Sequence, residues 1–199
     1  PNVYATNSYC FGMWPPGKKS VTATLAVMEN LAYCHIMAYK LIHEKREAIG
    51  FNDSMVGCAN HLRIFSPKNH KNPWHCIAAK LTAFLFQNAL TDAMTLGKFA
   101  FPLKNFGKLP KGEYTDFIGL NYYSRSTVSG IGDGVRENCP KNDLGWEIYP
   151  KGLVDCAKQL YDVLPRPIWV TENGTCDNDD RFRCRYLYEH IRALGNSGL

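Results

Sequence analysis

The apolar residues of this chain fall into alternating helix-like and strand-like runs. Val21, Leu25, Met28, Leu31, Ala32, Ile36 and Tyr39 recur at helical spacing, which predicts one long helix over about residues 21–48 with Ser20 as its cap. A second helix is expected from Asn72–Pro73, where the missing proline amide costs nothing at the first position. Ile77, Leu81, Phe84, Leu85 and residues 87–90 give it an apolar face, and Gly97 ends it. A third carries Leu153, Val154, Ala157, Leu160, Tyr161 and Leu164 and stops at Pro165. The last, about 180–194, has Asp179 as its expected cap and Phe182, Leu187, Ile191 and Leu194 as its expected buried side. Between these lie strand patterns at 55–61, 116–123 and 167–173. Ile168, Trp169 and Val170 form a continuous apolar run between Pro167 and a turn at Asn173–Gly174, the pattern of a parallel strand covered on both faces. Residues 1–19 read as a loop, 98–115 as an extended surface connection and 129–142 as a Gly-containing loop.

Helices and strands in strict alternation specify a parallel sheet with right-handed crossovers. The alternation alone fits either an open doubly wound sheet or part of a (β/α)8 barrel. The 199 residues are 45% hydrophobic and 21% charged, enough apolar residues for the core of one domain. A net charge of +5 with scattered Lys and Arg gives no footprint for nucleic acid. No run of 18 apolar residues offers a membrane-spanning helix, and residues 1–10 lack the basic and apolar regions of a signal peptide. The eight cysteines form no C-x-x-C pair, so they are expected to be small buried residues of a cytoplasmic protein rather than disulfides or metal ligands. His35 and His43, isolated on the long helix, are expected to be structural.

Candidate chemistry gathers at Thr171–Glu172–Asn173–Gly174, where an apolar strand ends in one carboxylate and a turn. Ligands bind at that end of the strands in α/β sheets and barrels; the plain alternative is a carboxylate that caps the turn. This segment resembles the T-E-N-G motif of glycoside hydrolase family 1, the β-glucosidase-like enzymes. Further blocks resemble the family in the same order along essentially the whole chain. Pro1–Asn2–Val3–Tyr4 is similar to the continuation of its N-E-P motif. Ala59–Asn60–His61, Gly119–Leu120–Asn121–Tyr122–Tyr123 and Gly145–Trp146–Glu147–Ile148–Tyr149–Pro150 follow.

The resemblance implies an α/β fold, part of a (β/α)8 TIM barrel with about three parallel core strands and four major helices, the barrel not closed. Residues 1–199 are then expected to be a single catalytic domain truncated at both ends. The implied activity is that of a retaining β-glycosidase acting on a β-linked glucoside or related small saccharide, with no cofactor and no metal. In such enzymes two carboxylates stand about 5–5.5 Å apart, one attacking the anomeric carbon and the other protonating the leaving oxygen. By resemblance Glu172 is the nucleophile, and Tyr123 donates its hydroxyl to it and orients it. Asn121 lines the sugar site, while Trp146 stacks on the aglycone at the mouth, where an aromatic face covers apolar C–H surface. Asn2 faces the leaving-group subsite. The acid/base Glu of N-E-P would precede Pro1, so this chain alone is expected to be inactive. A non-catalytic carbohydrate-binding protein that keeps part of a barrel is the alternative. A complete open-sheet protein binding another small ligand is disfavoured, because no glycine-rich phosphate motif follows any strand.

Overall fold

The computed structural model describes all residues, Pro1–Leu199, and the chain divides into two compact units. The first comprises Pro1–His61 with Leu85–Gly119, and the second Leu62–Phe84 with Leu120–Leu199.

In the first unit the short helix α1, Asn2–Ala5, leads into a wider π-type turn over Thr6–Cys10. This corrects the loop expected over residues 1–19. Thr6 explains part of it: its hydroxyl donates back to the Asn2 and Val3 carbonyls, and such local bonds hold a turn that apolar periodicity does not reveal. Helix α2, Val21–Glu47, begins where the Ser20 hydroxyl accepts the Ala23 amide. At its other end, Lys45 and Arg46 complement the dipole. It is 27 residues long, roughly 40 Å. Its buried side is Met28, Ala32 and Ile36, and it packs on helix α4, Ala89–Leu96, which contributes Leu90, Ala93 and Met94 to the same core. Gly97 closes α4 in the left-handed conformation at φ 60°, where a side chain would be strained.

Two polar ties brace α2. His35 Nε2 lies 2.8 Å from the Tyr114 carbonyl. Asp116 meets His43 Nε2 at 2.7 Å, accepts the Tyr39 hydroxyl at 3.0 Å, and accepts the Val56 amide at 2.8 Å. Burial opposes ionisation of Asp116, but the Val56 amide, His43 and Tyr39 together hold its carboxyl below the usual range.

Strand β1, Gly57–Pro67, and strand β2, Phe117–Val128, begin in the first unit and end in the second. Gly119 sits against Ala59 in the first unit, and in the second Arg63 bonds Ser126 and the Lys68 amide bonds the Val128 carbonyl. The pairing rises together in both strands, so they are parallel. Strand β4, Ile168–Asn173, pairs with β2 and is parallel by the same reasoning, since Thr171 meets Asn121 and Glu172 meets Tyr123. The short β3, Asp133–Gly134, folds back antiparallel on the end of β2, Gly134 opposite Thr127. The sheet therefore has β2 as its centre and does not close on itself.

In the second unit helix α3, Pro73–Ala83, starts at Asn72, whose side chain accepts the Trp74 amide. Helix α5, Pro150–Val163, packs on helix α6, Arg183–Gly195. Leu120, Tyr122, Val128, Leu153, Cys156, Ala157, Leu160 and Tyr186 make the core here. Tyr122 donates to the Tyr149 carbonyl at 2.7 Å, and this brings its ring so close to α5 that a Cβ at Gly152 would lie 2.0 Å from the Tyr122 hydroxyl. Only glycine fits at that position.

Three expectations for this unit are corrected. Strand β4 is not covered on both faces: it pairs only with β2, and Trp169 is 48% exposed. Asp179 does not cap α6, whose N-cap position is Phe182 with no side-chain cap bond of its own. One Asp177 oxygen accepts the Phe182 and Arg183 amides at 2.7 and 2.8 Å, while Asp179 pairs with Arg181 at the surface. The buried side of α6 is Tyr186 and His190, with Leu187 and Ile191 outward. A hydroxyl and an imidazole with hydrogen-bond partners inside the unit displaced the purely apolar face that the spacing suggests. No helix is long and apolar enough to cross a membrane, no group of His, Cys, Asp or Glu is set to hold a metal, and the eight cysteines are all free.

Candidate active site

Parallel pairing sets the C-terminal end of β4, Thr171–Glu172–Asn173, beside Asn121–Tyr122–Tyr123 in the middle of β2, which runs on to Val128. The Tyr123 hydroxyl donates to Glu172 Oε2 at 2.6 Å, a charge-assisted length. Burial, followed by the hydrogen bond to Glu172 and its negative charge, pushes the Tyr123 phenol up to about 12. The hydroxyl therefore keeps its proton through neutral and mildly alkaline pH and remains a donor to the carboxylate. Glu172 itself is exposed, so an incoming molecule can reach it.

The other predicted residues take different places. Thr171 Oγ1 donates to Asn121 Oδ1 at 2.6 Å, which fixes the Asn121 amide beside the end of β4. Trp146 is 40% exposed and packs edge-to-face against Tyr123, ring centroids 6.2 Å apart. Asn2 belongs to the first unit and is 1% exposed. Its amide donates to the His61 and Phe86 carbonyls and its oxygen accepts the His61 amide. Asn2 is thus a buried tie between α1, β1 and the turn before α4, and it offers no donor to a leaving group.

Two arrangements escape sequence reasoning. The first is around Trp146. The Asn142 side chain accepts the amides of Leu144 and Trp146 at 3.1 and 2.9 Å, making the turn that presents the indole. The next residue, Glu147, is 3% exposed and holds the Arg125 guanidinium with both oxygens, Nε–Oε2 at 2.9 Å and Nη2–Oε1 closer still. Arg125 in turn lies 3.7 Å over the Tyr149 ring. The hydrogen bond to Glu147, partly opposed by burial, raises the guanidinium further. Both Glu147 oxygens are thus engaged by Arg125, an arrangement that braces the loop rather than presenting the carboxyl to a ligand. The second arrangement is beneath the nucleophile motif. Asn173 Nδ2 donates to the Tyr122 carbonyl at 2.8 Å and to the Tyr186 hydroxyl at 3.1 Å, and that hydroxyl donates to the Tyr123 carbonyl at 3.0 Å. A buried carboxylate such as Glu147 demands a cation, but nothing in the sequence names Arg125, which is 22 residues away, as its partner.

Comparison with known proteins establishes the family. The model of glycosyl hydrolase family 1 matches residues 1–197. The chain belongs to that family. A β-glycosidase from Pyrococcus horikoshii superposes with a TM-score of 0.85 at 28% identity, over 99% of this chain and 46% of that one. A β-galactosidase from Sulfolobus acidocaldarius is 36% identical over 100% of this chain and 43% of its own length. A galactolipid galactosyltransferase from Arabidopsis thaliana is 28% identical over 98% of this chain and 30% of its own. The chain thus spans about half or less of the length of these relatives. The fold is accordingly that of a partial (β/α)8 barrel, its three parallel strands carrying helices between them and its sheet unclosed.

Proposed function

We propose that this chain is the part of a retaining β-glycosidase that carries the nucleophile Glu172 and its positioning residue Tyr123. The observation that supports this most is the 2.6 Å hydrogen bond from the Tyr123 hydroxyl to the accessible Glu172 carboxylate, where the C-terminal end of β4 runs parallel beside β2. The carboxylate attacks the anomeric carbon of a β-linked glucoside or related small saccharide. The bond to the aglycone oxygen breaks, and that oxygen takes a proton from a second carboxylate. Water then attacks the anomeric carbon of the glycosyl ester, gives its proton to the second carboxylate, and releases Glu172. The second carboxylate is the Glu of the N-E-P motif whose continuation Pro1–Asn2 resembles, and not Glu147, which Arg125 holds on both oxygens. Trp146, edge-on to Tyr123 and part exposed, supplies an apolar face to the aglycone. Asn121 supplies a polar group beside the sugar. The chemistry of the ester is the same whether water or an alcohol accepts the sugar, which fits relatives named both as glycosidases and as a galactosyltransferase.

The test is a 2-fluoro glycoside with an activated leaving group, applied to the full-length protein. Such a compound forms the ester but resolves it slowly, and the label is expected on the peptide that contains Glu172. A label on another carboxylate refutes the assignment; no label, with a sugar still bound, favours the non-catalytic carbohydrate-binding reading. Residues 1–199 alone are expected to show no turnover of an aryl β-glucoside, since general acid catalysis contributes about 10²–10⁴-fold. Robust turnover by a folded monomer of this length points to a second carboxylate within it.

A further inference from the structure

The Tyr186 side chain touches the backbone of the nucleophile's hydroxyl partner and the residue after the nucleophile at once. Its hydroxyl accepts from Asn173 Nδ2 at 3.1 Å and donates to the Tyr123 carbonyl at 3.0 Å. Asn173 uses the same nitrogen to hold the Tyr122 carbonyl at 2.8 Å. Glu172 and Tyr123, which meet at 2.6 Å, are therefore each followed or backed by a group fastened to one phenol. That phenol is itself immobile. Tyr186 is 2% exposed, its ring stacks on His190 at 3.9 Å, and the His190 Nδ1 hydrogen is donated to the Tyr186 carbonyl at 2.7 Å. Since both groups on α6 are buried, the helix acts as a rigid support behind Tyr123 and Asn173.

We propose that Tyr186 is a positioning residue for attack by Glu172: through Asn173 and the Tyr123 backbone it holds the Tyr123 hydroxyl and the Glu172 carboxylate in one geometry. This rests on the reading of Glu172 as the nucleophile. Without the tie, the Tyr123 carbonyl loses its donor and Asn173 keeps only the Tyr122 carbonyl, so the Tyr123 hydroxyl and the Glu172 carboxylate are held less closely in one geometry. Misplacement of reacting groups by about 1 Å lowers rates by up to about a hundredfold.

Tyr186→Phe in the full-length protein removes the hydroxyl and keeps the ring. Rates are measured per competent site, counted by titration with the 2-fluoro glycoside, so that a smaller folded fraction does not count as slower chemistry. The expected result is a kcat per site lower by about tenfold to a hundredfold with unchanged binding of a neutral sugar inhibitor. Asn173→Ala removes the other half of the tie and is expected to move the same readings the same way. A parental rate per site in either variant, or a loss matched by weaker inhibitor binding, overturns the proposal. So does the collapse of both variants, which would make Tyr186 a structural tie alone. Failure of the parental protein to label at Glu172 is a different outcome, and it overturns the nucleophile reading instead.

Discussion

Glu172→Ala in the full-length protein is expected to lower turnover of an aryl β-glucoside by roughly 10⁴-fold or more, the scale on which loss of a covalent nucleophile registers. The fold should survive, because Glu172 is exposed and its carboxylate bonds the Tyr123 hydroxyl rather than a buried group of the core. That hydroxyl is itself half-buried beside the Trp146 ring and can turn to water. The truncation leaves a space beneath the anomeric carbon that a small anion can fill. Azide is therefore expected to restore turnover of a substrate with a good leaving group and to yield a glycosyl azide of inverted configuration. Restoration with the original configuration would mean that another group still forms the covalent intermediate. A mere severalfold loss without azide would leave Glu172 as a turn residue, the plain alternative that its position before Asn173–Gly174 allows.

What could be read from the sequence and what could not differ by range. The helices α2 and α5 and the strands that carry Tyr123 and Glu172 announce themselves locally, through apolar period, capping residues and short motifs, although β2 runs on to Val128, past the end expected at Tyr123. The meeting of Tyr123 with Glu172 follows from one further step, since strands joined by a single crossover helix usually pair. Contacts that depend on side-chain reach over many residues carry no such signal. Arg125 and Glu147 are 22 residues apart, and Tyr186 reaches the Tyr123 carbonyl from 63 residues away. Asn2 shows the converse error. Its place beside a catalytic motif suggests a leaving-group subsite, but this asparagine is itself buried at the start of its helix, has three backbone groups within reach and binds them. The apolar run of β4 likewise reads as buried, and its exposure depends on what packs around the strand rather than on the run itself.

Glu147→Gln is expected to destabilise the full-length protein by about 3 kcal/mol, the lower end of what breaking one side of a buried ion pair costs. The substitution keeps the shape of the side chain but removes its charge. Arg125 then remains with only 11% of its side chain exposed, its guanidinium facing a neutral amide and the ring of Tyr149. A cation over an aromatic face recovers about 1–2 kcal/mol when desolvated, too little to replace the carboxylate. The double replacement Arg125→Met with Glu147→Leu is expected to regain most of the loss, because two apolar groups of similar volume need no partner. The two results together separate the attraction between the charges from the cost of stranding one of them. The site should report the same event. Glu147 follows Trp146 directly, and its backbone bridges to both Arg125 and Lys141. Loosening the ion pair thus frees the loop that carries the indole and should weaken discrimination among aglycones before it slows cleavage of an activated aryl glycoside. If chemical denaturation gives Glu147→Gln the parental stability, the backbone bridges and the Asn142 turn hold that loop by themselves, and the ion pair is dispensable.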